Sequence, residues 1–356
     1  MIRPAANVAA MAPYALADLG VPGTISLAQN ESAFGPSPMA LAAGVTALKD
    51  SALYPDPDWR DLRAAIADMH GQAADSILCG AGSMELIGAL IRAYAGPGDT
   101  VLGTAHGYLF VATACQQAGA EYVTVREPGM QVDVGAILNA VTPATRIVFL
   151  CNPGNPTGTR IENAEVLRLR AALPADILLA VDQAYGEFDD QPPAPIFALA
   201  GLGNTVVLRT FSKAYALAGA RVGWGIFPAA IATETRKLLN PNNVSAVSQA
   251  MAAAAMRDRD HMQGIVAKTA AIRVDFTLAL REAGFAIPES HTNFVLIPFA
   301  DATTADAADK ALRDVGFILR GMGGYGLPHC LRATVGAAEA MRDVARILAP
   351  FAKDQT

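Results

Sequence analysis

From residue 76 to residue 210, short apolar runs alternate with longer stretches of helical character. SILCG (76–80), TVLGT (100–104), EYVTVR (121–126), RIVFLC (146–151), ILLAVD (177–182) and TVVLRT (205–210) have strand lengths and are rich in Val, Ile and Leu, as buried strands are. Residues 83–95 and 109–118 read as apolar helices between them. Earlier breakers, GPSP and YPDP, precede helices expected at 39–49 and 59–69. Strands joined through helices pair in parallel. The expected fold is therefore α/β, a large domain with a mostly parallel mixed sheet flanked by helices.

After Pro241 the pattern changes. A long helical region runs to about residue 284, then NFVLIPF, a helix near 304–315, FILRG, CLRATVG and a final helix, which read as a smaller α+β domain. The expected division is an N-terminal arm over 1–30, holding Pro4, Pro13 and Pro22, a large domain over 31–240 and a small one over 241–356. Composition narrows the function. A net charge of −6 with no basic run argues against nucleic acid. No apolar run is long enough to span a membrane, and no signal peptide is expected. Cys79, Cys115, Cys151 and Cys330 form no CxxC pair and no Cys/His cluster of metal spacing, so reduced thiols, a cytoplasmic protein and no metal are expected.

Three polar groups fall just past the carboxyl ends of three of these strands. Asn155 follows RIVFLC in CNPGNPTG, Asp182 ends ILLAVD with Tyr185 three residues on, and Lys213 follows TVVLRT. Open α/β sheets bind ligands outside those strand ends. Lys213 sits in RTFSKAYALAGARVGWG, otherwise made for burial, with Arg221 nearby. A lysine there either lifts its head to water or shifts its pKa and serves chemistry.

An amine, a carboxylate, a phenol and an amide together match pyridoxal phosphate. Its aldehyde takes Lys213 as a Schiff-base partner, and its ring nitrogen needs an anion such as Asp182 to stay protonated as an electron sink. Tyr185 and Asn155 supply donors to its 3-oxygen. Ser212 and Arg221 offer a hydroxyl and a guanidinium to its phosphate. GAGSME (80–85), at a strand-to-helix turn, offers backbone N–H groups there, although a tight turn that needs glycine explains the same string.

These stretches resemble the fold-type I pyridoxal-phosphate aminotransferases, and within them the histidinol-phosphate aminotransferase group. LAQNESAFGPSP, YPDPDWRDLRAAIA, GAGSMELIGALIRAYAGPGD, CNPGNPTGT, VDQAYGEF, RTFSKAYALAGARVG and YGLPHCLRATVG follow in the family's order over nearly the whole chain. The resemblance implies Lys213 as the Schiff-base lysine, Asp182 at the pyridine nitrogen, and Tyr185 and Asn155 at the 3-oxygen. It gives the phosphate to Ala81, Gly82, Ser83, Ser212 and Arg221. Tyr54 of YPDP would reach the phosphate in a neighbouring subunit, which implies a homodimer with shared active sites. Arg332 becomes the clamp for the substrate carboxylate, in place of a surface salt bridge. Arg320, Asn30 and the arm residue Tyr14 are further substrate-side candidates.

The chain departs from the family pattern at Gln183, where VDEAY is usual, and at the ring-stacking aromatic. The family's tyrosine position falls on Val111; Tyr108 and Phe110 are near enough to stand in, or to be core packing instead. Asn30, Glu31 and Ser32 match the first motif only in part. The implied reaction is a ping-pong transamination between a small-molecule amino donor and an oxo-acid acceptor, most directly histidinol phosphate with 2-oxoglutarate, in which Lys213 also moves the proton between the substrate α-carbon and the cofactor. An aromatic amino acid aminotransferase and a threonine-phosphate decarboxylase use the same scaffold. A protein that merely holds the cofactor would not need both Lys213 and Asp182.

Overall fold

The computed structural model describes residues 2–12 and 21–352. The strands read from the sequence occur at Ile77–Gly80, Thr100–Thr104, Glu121–Val125, Thr145–Cys151, Leu178–Asp182 and Thr205–Thr210. A seventh, Gly223–Ile226, is hidden in the sequence because two of its four residues are glycines, which are depleted in strands. In space the order is Ile77–Gly80, Gly223–Ile226, Thr205–Thr210, Leu178–Asp182, Thr145–Cys151, Thr100–Thr104, Glu121–Val125. Gly223–Ile226 runs antiparallel to both neighbours, and every other pair is parallel. The sheet is thus mostly parallel and mixed, as expected.

The strands bearing Asn155, Asp182 and Lys213 at their ends are neighbours in the middle of this sheet. Their registers pair Cys151 with Asp182 and Asp182 with Leu208. All five residues of Leu178–Asp182 and all six of Thr205–Thr210 are buried. Sandwiched strands cannot slip without exposing apolar side chains, so the strand ends are fixed points. Helix starts follow local chemistry. The Ser37 hydroxyl accepts from the backbone N–H groups of Met39 and Ala40, with Pro38 at the first helical position of Pro38–Ala47.

A second core lies around the antiparallel sheet Arg320–Gly321, Cys330–Thr334 and Phe294–Pro298. Phe276, Leu280, Val295, Leu331 and Val344 are among its buried residues. The helical region after residue 241 is two helices, Ala246–Arg257 and Arg259–Ala283, broken at Asp258, whose carboxylate caps the second through the His261 N–H. Ala246–Arg257 packs on Pro38–Ala47 and Arg60–His70. Met256 and Met262 belong to the larger core and Phe276 to the smaller, so the 25-residue helix reaches from one core to the other. The N-terminal segment joins the smaller unit, with Ile25–Ser26 paired in parallel to Phe317–Ile318.

Candidate active site

A cavity of about 410 Å³ opens at the carboxyl ends of the central strands, between the large sheet and the small one. Lys213, Asp182, Tyr185, Asn155, Ser83, Ser212, Arg221, Tyr108, Arg320, Arg332 and Asn30 all line it. Sequence positions 30 to 332 are thereby brought together around one space.

Lys213 Nζ donates to the backbone carbonyls of Asn30 at 3.0 Å and Gln29 at 3.3 Å. Its pKa is brought down from the usual 10.5 to about 7. Loss of hydration is the first cause, followed by the positive Arg332 and Arg221, with Glu31 acting against them. Asp182 is buried, and its pKa rises from 3.8 to about 6 for the same first reason. The Ala184 N–H at 3.0 Å, the Cys151 thiol and the charge of Arg209 oppose that rise. A buried carboxyl of this kind is held ionised by a cation placed against it.

The hydrogen bonds fix which way the polar groups face. Arg332 donates through Nη1 to Asn155 Oδ1 and through Nη2 to the Ala28 carbonyl at 3.0 Å. An arginine only donates, so the Asn155 amide must present its oxygen to it. The Asn155 NH₂ group is the end left for a ligand. Thr210 accepts the Ser212 N–H at 3.1 Å and donates to Ser212 Oγ at 3.0 Å, which leaves the Ser212 hydroxyl hydrogen to donate onward.

Arg332 is 6% exposed and makes no ion pair among the described residues. Its Nε has no partner, and burial lowers its pKa. It lies 5.1 Å from the centre of the Phe294 ring. Arg320 stands directly opposite it across the antiparallel pair. Like charges directly opposite on neighbouring strands are destabilising.

At the other end, Gly82 has φ +80° at the start of the helix Ser83–Tyr94. A Cβ there would come within 2.4 Å of Arg221 Nη2, and one on Gly223 within 2.2 Å of the Ser83 backbone nitrogen. The two glycines let a guanidinium and a helix N-terminus converge on one spot, which suits a phosphate. The Ala81 N–H donates instead to Glu85 Oε2 at 2.7 Å, and the Gly82 N–H to the Gly80 carbonyl at 2.7 Å. Those amides are engaged within the turn, so Ser83, Ser212 and Arg221 are the groups that face the cavity.

Val111 is fully buried in the larger core and absent from the cavity wall, whereas Tyr108 lines it. Phe110 packs against the core instead. Asn30 spends its side chain on Tyr185 and Thr334, at 2.8 and 3.2 Å, rather than offering it to a substrate. Tyr54 does not line the cavity and is 89% exposed. Tyr14 lies outside the described residues. The sequence reading did not single out Tyr325, Glu31 or Cys151 as wall residues, although Tyr325 opens the stretch YGLPHCLRATVG.

The amine, the buried carboxyl, two donors of fixed polarity and the anion cradle fit pyridoxal phosphate group by group, and sheet and site together define a pyridoxal-phosphate-dependent transferase. Comparison with known proteins narrows the class. The aminotransferase class I and II family matches residues 22–349. A histidinol-phosphate aminotransferase of Jannaschia sp. is 45% identical over 325 residues, 91% of this chain and 89% of that protein. One from Paramagnetospirillum magneticum is 44% identical, covering 93% of each chain. A histidinol-phosphate aminotransferase from Sinorhizobium meliloti, solved in complex with pyridoxal 5′-phosphate, superposes with a TM-score of 0.86 at 32% identity, over 94% of this chain and 92% of that one. The chain belongs to the class I and II aminotransferases, in their histidinol-phosphate aminotransferase-like branch.

Proposed function

We propose that the protein transfers the amino group of histidinol phosphate to 2-oxoglutarate through pyridoxal phosphate. The observation that carries the substrate assignment is the pair Arg320 and Arg332, cross-strand neighbours on one cavity wall. Histidinol phosphate brings a phosphate and no carboxylate; 2-oxoglutarate brings carboxylates. Two adjacent guanidiniums, one with an unpaired Nε, suit both anions in turn.

Lys213 would hold the cofactor at its ε-amino group, with Asp182 as the anion for its ring nitrogen and Asn155 and Tyr185 as donors for its 3-oxygen. Tyr108 would serve the ring, and Ser83, Ser212 and Arg221 would hold the phosphate. When bound, pyridoxal phosphate supplies the electron sink for the bond broken at the substrate α-carbon. Lys213 Nζ, when free, would take the α-proton; a pKa of about 7 leaves a large neutral fraction at neutral pH for that task. Arg332 and Arg320 orient the substrate anion, so that the Cα–H bond faces Lys213 rather than solvent.

A second copy of the chain completes the site in this reading. Tyr54, Leu53, Val45 and Leu48 are exposed together on and just after Pro38–Ala47, an apolar surface that a like subunit covers, and Tyr54 then reaches the neighbouring phosphate. The domain division stays as arm, large domain and small domain. The four free, buried cysteines support a cytoplasmic setting. Among the described residues no helix is long and apolar enough to cross a membrane.

The test is an absorbance titration of the cofactor-loaded protein with L-histidinol phosphate, L-glutamate and L-phenylalanine separately, with no oxo acid present. Conversion of the lysine-bound cofactor to its amine form at the lowest concentration of histidinol phosphate supports the assignment. Preference for phenylalanine would turn it into an aromatic amino acid aminotransferase. Loss of carbon dioxide without the amine form would make it a decarboxylase.

A further inference from the structure

Asn30 is 2% exposed and adopts a left-handed backbone, φ 56°. That conformation turns its side chain and its carbonyl toward different partners. Its N–H donates to Thr334 Oγ1 at 2.9 Å. Thr334 Oγ1, already accepting there, donates its one hydrogen to Asn30 Oδ1 at 3.2 Å. A flipped amide would take this acceptor away from the Thr334 hydroxyl hydrogen. Nδ2 is therefore the end that meets Tyr185, donating to its phenolic oxygen at 2.8 Å. A phenol has one hydrogen, and a phenol that accepts this bond keeps its hydrogen for another partner. Tyr185 lines the cavity, where such a partner would bind. The Asn30 carbonyl meanwhile accepts from Lys213 Nζ and Asn293 Nδ2, both at 3.0 Å.

We propose that Asn30 is a positioning residue: the chain Thr334–Asn30–Tyr185 fixes Tyr185 as a donor into the cavity, while the Asn30 carbonyl holds the Lys213 amine when it is free. This rests on the reading of Lys213, Tyr185 and Asn155 as cofactor ligands. It also removes Asn30 from the substrate-binding set and gives the small sheet, through Thr334, a hand in the electronics of the reaction centre.

Four variants test it: Asn30→Asp, Asn30→Gly, Thr334→Val and Thr334→Ser. Aspartate presents an acceptor to Tyr185 and draws its hydrogen away from the cavity. Glycine tolerates the positive φ, so it keeps the carbonyl toward Lys213 and deletes only the side chain. Valine removes the hydroxyl that holds the amide in place; serine retains it. The first readout is the pH midpoint at which the absorbance of the lysine-bound cofactor titrates. A donor at the 3-oxygen lowers that midpoint by favouring the negative oxygen.

The midpoint is expected to rise by about one pH unit in Asn30→Asp, as one lost hydrogen bond implies. Thr334→Val should rise by less, and Thr334→Ser should stay at the wild-type value. In Asn30→Gly the rate of cofactor recombination should hold while the midpoint moves. Unmoved midpoints in both Asn30→Asp and Thr334→Val, beside a wild-type protein that shows the lysine-bound band, would overturn the proposal alone. So would a raised KM for the amine substrate at an unchanged midpoint, the mark of a substrate ligand. No band in the wild type would overturn the reading of Lys213 itself. Should the Asn30 variants fail to fold, the valine and serine pair at Thr334 decides the matter.

Discussion

On the large-sheet side of the cavity, Asn155, Asp182 and Lys213 each stand at, or a few residues past, the end of a buried strand. On the opposite side, Asn30 and Arg332 are held by hydrogen bonds that join positions 304 apart, Asn30 to Thr334 and Arg332 to Ala28, and Arg320 pairs with Arg332 across two short strands. The first wall takes its geometry from backbone register, and the second from side-chain polarity. Their buried charges differ in the same way. Arg209, on the strand Thr205–Thr210, is closed off by Glu187 at 2.9 Å and Gln183 at 3.2 Å. Arg332, on the small sheet, has only neutral partners. A charge with a counter-ion inside the protein serves the fold. A charge without one is, in the function proposed above, kept for something that arrives from outside.

The strongest test of this contrast is at Lys213. Lys213→Met is expected to lower turnover by roughly 10²–10⁴-fold or more, since proton transfer alone contributes that much. Folding of the cofactor-free protein should hold or improve. The amine has a folded pKa of about 7 against 10.5 for a free lysine, so its charging opposes folding increasingly as pH falls from 10.5 toward 7. Urea unfolding at pH 7 beside a turnover assay reads both effects, and a variant that is inactive because it is unfolded would break the argument.

Next comes Arg209→Met, which strands the buried Glu187 carboxylate and should destabilise the protein by about 3–5 kcal/mol. Urea unfolding measures this, and substrate KM should stay near wild type. Arg332→Leu should do the reverse. Stability should be kept, while KM for the oxo acid rises roughly ten- to hundredfold for each charge-assisted hydrogen bond lost. Arg332→Lys should recover only part, because an ammonium cannot make the two-pronged contact. If the two arginines behaved alike in both assays, the division between the walls would not stand.

The smallest expected effect is on pH dependence. Recombination of pyridoxal phosphate with the cofactor-free protein requires neutral Lys213, so its rate should climb through about pH 7 and level off above. In Arg332→Leu the midpoint should move upward, since a neighbouring positive charge that disfavours the ammonium is gone. A wild-type midpoint near that of an ordinary lysine would show that the amine is hydrated.

The contrast also explains what the sequence could and could not reveal. Lys213, Asp182 and Asn155 were readable because strand ends are visible as the last apolar residue of a run. The parallel sheet was readable for the same reason. Gly223–Ile226 was not, since GWGI lacks the β-branched density of its neighbours, and neither was the split of the helical region at Asp258, where no proline or glycine marks the break. Ala81 and Gly82 fit a phosphate loop by their letters, but Glu85 and the Gly80 carbonyl, four residues on and two back, take their N–H groups. The position counted for a stacking aromatic falls on Val111 in the core, while Tyr108, three residues earlier, is the one on the cavity wall. The role of Asn30 could not be read at all. It depends on where the Thr334 hydroxyl hydrogen points, and that follows only from the network in three dimensions.

The facing pair Arg320 and Arg332 has a consequence for how such a protein changes under selection. Two guanidiniums set directly opposite each other repel. A laboratory screen for heat resistance alone has no reason to keep both, whereas one that also reads turnover tests whether the pair serves the reaction.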